Sequence, residues 1–488
     1  MTETLSLPGL LVALVLPWAT GTLWVRWLLH PDGGRFSLLL SLGYGFFAGI
    51  FAVTLIVRAW DAAGLALNFT LLSAVVAALG AAALLLQRTL PRVTVQGTGI
   101  RTPPWQLAVA AVLLGLLGWR YITLAQELLL RPLFAWDAWM NWAPKAIVWF
   151  HQGALVEFVS PEQWEQGAGE NAYTLGNRQS WDYPPTVPLI QLWVMLGAGI
   201  WDHGAIYLPW LLAALSMGAV LFGHMRLAGL PLALSSAGCY LVLSLPFMNV
   251  HTALPGYADL WQAAAFTLGV CALFEWRRTR HRSWACLWVL MAVMCTQLKV
   301  PGIVLGLVII GCGLRAWLDL RPRTELVVLV AGVLALVLAM LFEVSFYLPY
   351  LGEVSLDTRK LVVGRIGSFD VQYHPVGHVF VDTFLQMINW NLLAYLLPLF
   401  LLYALLRGRL LRPPPAEVLA VALAALLIVS VFFFTGYYRP ALNFATLNRA
   451  LLYPIPALIF VCLVHLPAMR PTPRSAHRSA GLGADWSR

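Results

Sequence analysis

Apolar stretches of about 20 residues recur along nearly the whole chain, from 6–28 and 36–58 at one end to 415–435 and 449–467 at the other. Each is long enough to cross a hydrocarbon core of roughly 30 Å as a helix. Within such a core every backbone N–H and C=O must find its partner inside the segment, and helices do this. The chain is therefore expected to be an all-α, polytopic membrane protein. Its charge content agrees: 11% of the 488 residues are charged and 60% are hydrophobic, and soluble domains carry about 25% charged residues. The formal charge of +9 then calls for no nucleic acid partner, because basic residues of membrane proteins gather in cytoplasmic loops and fix orientation. The six cysteines, Cys239, Cys271, Cys286, Cys295, Cys312 and Cys462, have neither metal-ligand nor redox spacing and read as small core residues.

Further apolar segments lie near 64–87, 104–128, 184–201, 204–225, 228–250, 256–276, 283–298, 300–318, 325–349 and 378–406, making fourteen. Arg88, Arg92 and Arg101, "RRTRHR" (277–282), "RAWLDLRPR" (315–323), "RGRLLR" (407–412) and "RPTPRSAHR" (470–478) read as cytoplasmic. Counting forward from Arg101 and backward from "RRTRHR" leaves both ends of 184–201 outside. That segment opens with "PPTVPL", a poor start for a regular span. The expectation is 13 spans plus a re-entrant or juxtamembrane segment at 184–201, with the N-terminus outside and the C-terminus cytoplasmic. The N-terminus lacks a basic n-region and reads as a retained first span rather than a cleaved signal peptide. Six regions follow: an N-terminal four-span segment (1–128), a first large extracytoplasmic loop with interfacial helices and the re-entrant segment (129–203), and a central core (204–349). A second extracytoplasmic loop (350–377), C-terminal helices (378–469) and a basic tail (470–488) complete the chain.

The first loop opens with "FAWDAWMNWAPKAIVWF" (134–150). On a helix Asp137, Asn141 and Lys145 share one face, with Trp136, Trp139, Met140 and Ala143 on the other. This is the pattern of a short interfacial helix. Alternatively, Pro144 ends that helix and starts a second, which stops at Gly153. An Asp137–Lys145 ion pair at such a surface is worth about 0–1 kcal/mol. Six tryptophans (136, 139, 142, 149, 164, 181) suit interfacial anchoring, and their flat faces also suit stacking on sugars. The loop closes with "SWDYPPTVPLI", in which Asp182 reads either as a second carboxylate or as a cap for the next helix.

Two later motifs also face outside. "HTALPGYADLW" (251–261) carries Asp259, placed to favour a helix N-terminus, and "CTQLKVPG" (295–302) carries Lys299 at an outer turn. A basic side chain at mid-membrane would cost about 2.5–3.5 kcal/mol or more. Only three lysines occur, Lys145, Lys299 and Lys360, and all fall on the expected outer side, as do Arg439 and Arg449. Outer cations run against the positive-inside pattern and fit an anionic headgroup, ordinary phospholipid or otherwise; a compact ammonium is a good phosphate partner.

In order and sidedness these motifs resemble the GT-C glycosyltransferases, over about residues 104–467. The nearest likeness is to bacterial relatives of protein mannosyltransferases and aminoarabinose transferases. The resemblance implies a sugar carried on a polyprenyl phosphate and transferred to a glycan, lipid or protein acceptor at the outer face of the bacterial inner membrane. It implies Asp137 as base or acceptor-orienting group and Lys299 at the donor phosphate, with Asp259 in the family's acidic position. Asp182 is expected as a further catalytic carboxylate, and Lys145, Lys360, Arg439 and Arg449 as further phosphate ligands. Asn141, Trp136, Tyr183 and Tyr257 are expected to contact substrate. The chain departs from the family where Ala138, not a second acidic residue, follows Asp137, and where the loop end "YPPTVPL" lacks a histidine. No metal ligands are assigned, and dependence on Mg²⁺ or Mn²⁺ is left open.

The chemistry agrees. Displacing a lipid phosphate from an anomeric carbon passes through an oxocarbenium-like state. A carboxylate takes the acceptor's proton and cations stabilise the leaving phosphate. A single displacement inverts the anomeric centre. Two other functions fit the outer cations: a flippase or transporter of a lipid-linked sugar, and a polymerase or ligase with a lipid-diphosphate donor.

Overall fold

The computed structural model describes residues 4–30, 36–90, 102–167, 172–175, 177, 180–319, 322–348, 352–364, 367–406 and 413–465. Arg92, Arg101, the 407–412 cluster and the 470–488 tail lie outside the described residues, as do parts of both extracytoplasmic loops. Four long helices open the fold: α1 (Leu7–Leu28), α2 (Ser37–Ala62), α3 (Phe69–Arg88) and α4 (Pro104–Leu130). The Ser6 and Asn68 side chains cap α1 and α3, each taking a backbone N–H of the first turn. The first loop folds into α5 (Ala143–Gln152) and α6 (Pro161–Glu165), and α7 (Thr186–Ala198) follows it. Gly153 at φ 64° stops α5, in the restart-at-proline arrangement.

The core comprises α8 (Leu208–Leu227), α9 (Leu232–Leu243), α10 (Pro246–Ala253), α11 (Asp259–Thr279), α12 (Arg282–Leu298), α13 (Val300–Leu318) and α14 (Pro322–Leu341). Then come α15 (Gly377–Val381), α16 (Leu393–Leu406), α17 (Ala416–Phe434), α18 (Tyr438–Ala441), α19 (Ala445–Leu452) and α20 (Ile455–Val464). The central element is α11, buried at every position from Asp259 to Trp276 and packed against α8, α12, α13, α17 and α20.

Eight helices among the described residues are long and apolar enough to cross a membrane, or up to ten if the bent pairs α9–α10 and α19–α20 are each one span. This is a multi-pass membrane architecture. Among the described residues three expected spans are interrupted, whereas α11 is unbroken but carries Asp259, Gln262 and Glu275, and α12 is unbroken but only 17 residues long. The two pairs bend by 59° and 42°, at Pro246 and around Pro454. The expected span 378–406 is divided by a π-turn at Asp382–Gln386 and a 3₁₀ turn at Ile388–Trp390. Segment 184–201 forms the 13-residue α7, too short to cross at about 1.5 Å per residue and buried against α1, α2 and α5.

The fold is not purely helical. The expected span 325–349 ends as a helix at Leu341 and gives way to four strands: β1 (Val344–Leu348), β2 (Gly352–Leu356), β3 (Lys360–Val363) and β4 (Gly367–Asp370). They form an antiparallel meander in chain order, with Phe346 opposite Val354 and Leu361 opposite Phe369. A short apolar run does not distinguish helix from strand, which is how β1 passed as the end of a span. Cys239, Cys271, Cys295 and Cys312 are buried as expected, whereas Cys286 is exposed on α12.

Candidate functional site at a charged cluster above an apolar groove

Four chain breaks meet at one end of α11. Asp259 occupies the first turn of that helix, where the aligned peptide dipoles favour a carboxylate. Lys299 is the extended residue (φ −158°, ψ 154°) between α12 and α13; Pro301 lacks an N–H and cannot continue the α12 ladder. Arg449 and Tyr453, four apart, project from the same side around the end of α19. Asp137 precedes a π-turn at Ala138–Trp142, ahead of α5 and Pro144. Gly256 makes the approach of this turn possible. Its φ is +91°, and a Cβ there would lie 2.6 Å from the Ala138 Cβ.

Asp259 has no exposed side-chain surface and organises the cluster. Its Oδ1 accepts from Lys299 Nζ at 2.8 Å and from the Tyr453 hydroxyl at 2.5 Å. Its Oδ2 accepts from Arg449 Nε at 3.1 Å and Nη2 at 2.8 Å. Arg449 Nη2 also donates to Asp137 Oδ2 at 2.5 Å, and its guanidinium carbon lies 4.8 Å from the Tyr257 ring centroid. The Asn141 amide donates to Asp137 Oδ1, while Asn177 donates to Asn141 at 3.0 Å. Two carboxylates and two cations thus cancel formally, and both Asp137 oxygens are occupied. Charges this enclosed persist because they are paired and hydrogen-bonded.

A cavity of about 330 Å³ opens beside the cluster. Its polar end holds Asp137, Lys299, Arg449, Tyr183 and Tyr453, and its walls are Val300, Val304 and Leu305 of α13 with Leu427, Ile428, Val431 and Phe432 of α17. Asp259 does not line it. The volume is at the small end of the roughly 300–1,000 Å³ range of ligand pockets. The arrangement joins a formally neutral, hydrogen-bonding end to an apolar groove.

The structure gathers Asp137, Asn141, Tyr183, Tyr257, Asp259, Lys299 and Arg449, and places the other expected site residues elsewhere. Lys145 forms no pair with Asp137; buried, it donates to the Trp181 and Tyr183 carbonyls at 2.7 and 3.0 Å and so braces the loop end. Burial pulls its pKa down to about 8, partly opposed by Asp182. Asp182 is exposed in the 3₁₀ turn Ser180–Asp182, does not cap α7 and does not line the cavity, since the turn directs carbonyls inward and this carboxylate outward. Lys360 is exposed on β3 with its amide bonded to Asp357, and Arg439 is exposed against Tyr438. Trp136, 57% exposed, is also absent from the cavity lining, whereas Trp142 and Trp149 are core rather than interfacial.

Tyr453 and Asn177 were missed by the sequence reading, as were Phe369, Tyr437 and Thr446, which line the cavity. The spacing of Tyr453 and Thr446 from Arg449, four residues after and three before, was the one available signal. Burial, with Asp137 nearby, pushes the Tyr183 hydroxyl up to about 12, so it is a neutral donor at physiological pH.

Among the described residues no three His, Cys, Asp or Glu side chains converge as metal ligands. Asp137 and Asp259 are bridged by the Arg449 guanidinium. In this arrangement the donor set does not fit Mg²⁺ or Mn²⁺. Compared with known protein families, characterised proteins and solved structures, the chain matches none.

Proposed function

We propose that the protein is a membrane-embedded glycosyltransferase of GT-C type. It takes a sugar from a polyprenyl-phosphate carrier and transfers it to an acceptor at the extracytoplasmic face. The observation that carries this reading is the junction of a Lys299–Arg449 cation pair with an apolar groove between α13 and α17. A phosphate belongs against the cations and the first isoprene units in the groove. The position of the basic residues supports the sidedness. Arg277 and Arg278 close α11 and Arg315 lies near the end of α13, about 24–28 Å along the helices from Asp259 and Lys299. With that basic end cytoplasmic, the cluster lies outside, in line with an inner-membrane enzyme and the wider span count read from the sequence.

The acceptor oxygen attacks the anomeric carbon as the bond from that carbon to the phosphate oxygen breaks. The electron pair leaves with the lipid phosphate, the acceptor's proton passes to Asp137, and the configuration inverts. Asp137 has no uncommitted oxygen while Arg449 holds Oδ2. An arriving phosphate draws the Arg449 Nη2 contact to itself and frees Oδ2. Asp259 retains Arg449 throughout, because its bonds do not depend on Asp137. Loss of the charge-assisted bond from Arg449 makes Asp137 a stronger base when the donor is bound.

The test is release of polyprenyl phosphate from the lipid-linked sugar in reconstituted vesicles, with cell-envelope extract as acceptor source. Asp137→Asn is expected to slow turnover by about 10²–10⁴-fold with donor binding retained. Undiminished turnover in this variant removes Asp137 from the chemistry.

A further inference from the structure

Every charged group at the cavity is committed to another, yet three hydroxyls there are not. Tyr183, Tyr437 and Thr446 line the cavity, and none makes a side-chain hydrogen bond among the described residues. The two tyrosines are close enough to interact electrostatically, and Tyr183 also feels Asp137. Thr446 precedes Arg449 by three residues on α19 and so shares its face. Each tyrosine ring is backed by another aromatic: Trp142 lies 4.9 Å from Tyr183 at 34°, and Phe369 lies 6.1 Å from Tyr437 at 29°. Phe369 comes from β4, so the meander contributes directly to the cavity wall.

We propose that Tyr183, Tyr437 and Thr446 form the subsite for an uncharged sugar ring, next to Asp137 and separate from the cations that take the phosphate. This deepens the lipid-phosphate reading and rests on it. Uncommitted neutral hydroxyls match the alternating donors and acceptors of a polyol. Aromatic faces, negative at their centres, match the C–H face of a pyranose. Lys299 and Arg449 are both occupied by carboxylates and by the incoming phosphate. A uronic acid would thus place a second carboxylate beside Asp137 with no cation to meet it. The ring selected is a neutral hexose or its deoxy relative, not a uronate. The phosphate and tail give affinity common to all carriers, and these three side chains read the sugar.

The test is equilibrium binding to the full-length protein in nanodiscs, with polyprenyl phosphate, polyprenyl-phosphoryl glucose and polyprenyl-phosphoryl glucuronate as probes. Wild-type protein is expected to bind the glucose-bearing lipid more tightly than the bare phosphate and than the glucuronate. Tyr183→Phe, Tyr437→Phe and Thr446→Val each keep the fold and remove one hydroxyl. Each should weaken the glucose-bearing lipid by about 3- to 10-fold and leave the bare phosphate within about twofold. Equal weakening of both lipids, no gain from the sugar, or preference for the glucuronate overturns the subsite while the lipid-phosphate reading stands. If wild-type protein binds none of the three polyprenyl lipids, that reading fails and the subsite falls with it.

Discussion

Asp259 and Asp137 share one arginine and are both buried, yet only Asp137 lines the cavity, and this divides their roles. Asp259 is sealed and holds Lys299, Arg449 and Tyr453 together; Asp137 reaches the cavity. Asp259→Asn leaves two enclosed cations short of a counter-charge, a loss of about 3–5 kcal/mol in comparable buried pairs. A larger fall in melting temperature in detergent is expected for Asp259→Asn, which loses contacts to Lys299, Arg449 and Tyr453, than for Asp137→Asn, which loses its pair with Arg449 alone. Equal melting of the two variants would count against the division. Lys145 gives a pH signature. Its folded-state value of about 8 lies below the ordinary 10.5, so the unfolded chain binds more protons between those limits. Its penalty is complete below about pH 8 and is relieved as pH rises to about 10.5. The melting temperature of wild type relative to Lys145→Gln should rise across that window, and a flat difference would place Lys145 in water. At this scale the charged members of the site were legible, because a charge in so apolar a chain is costly enough to need a reason. Sidedness nevertheless defines a layer rather than a place within it, so Lys145, Lys360 and Arg439 were grouped with Lys299. Tyr437 gave no signal at all, and Thr446 gave only its spacing of three from Arg449.

The elements that build the site are interrupted ones. Lys299 occupies the break between α12 and α13, Arg449 precedes the bend between α19 and α20, and Asp137 leads into a π-turn. The break at "LKVPG" could be read from its proline and glycine. The π-turn and the division at 382–392 could not, because hydrophobic runs record burial in lipid and not continuity of the backbone ladder. Gly256→Ala tests the close approach of the two loops. Strain at φ +91° and contact with Ala138 should cost more than about 1 kcal/mol and displace Asp137, so turnover should fall further than donor binding. Ile428→Trp tests the groove between α13 and α17. It should raise the KM for lipid-linked sugar by displacing the first isoprene units; an unchanged KM would put the tail elsewhere.

At the scale of the whole molecule, the N-terminal helices buttress the site rather than stand apart from it. Arg58 of α2 donates to Thr186 at 2.6 Å and to Gln297 at 3.0 Å, three residues beyond Tyr183 and two before Lys299. It therefore ties both flanks of the cavity to α2. The multi-pass architecture was plain from apolar length alone, whereas the β-meander was hidden in a segment read as the end of a span followed by a loop. The opposite, basic end closes on Glu417, which accepts two bonds from Arg277 at 2.8 and 2.7 Å. This charged seam and the Asp259 cluster therefore lie toward opposite ends of α11. The most direct measurement is mass spectrometry of the lipids that co-purify in mild detergent with wild type and with a Lys299→Ala/Arg449→Ala variant. A polyprenyl-phosphate sugar bound to wild type and lost from the variant is the expected result. The same bulk phospholipids on both proteins, with no polyprenyl species, would contradict it.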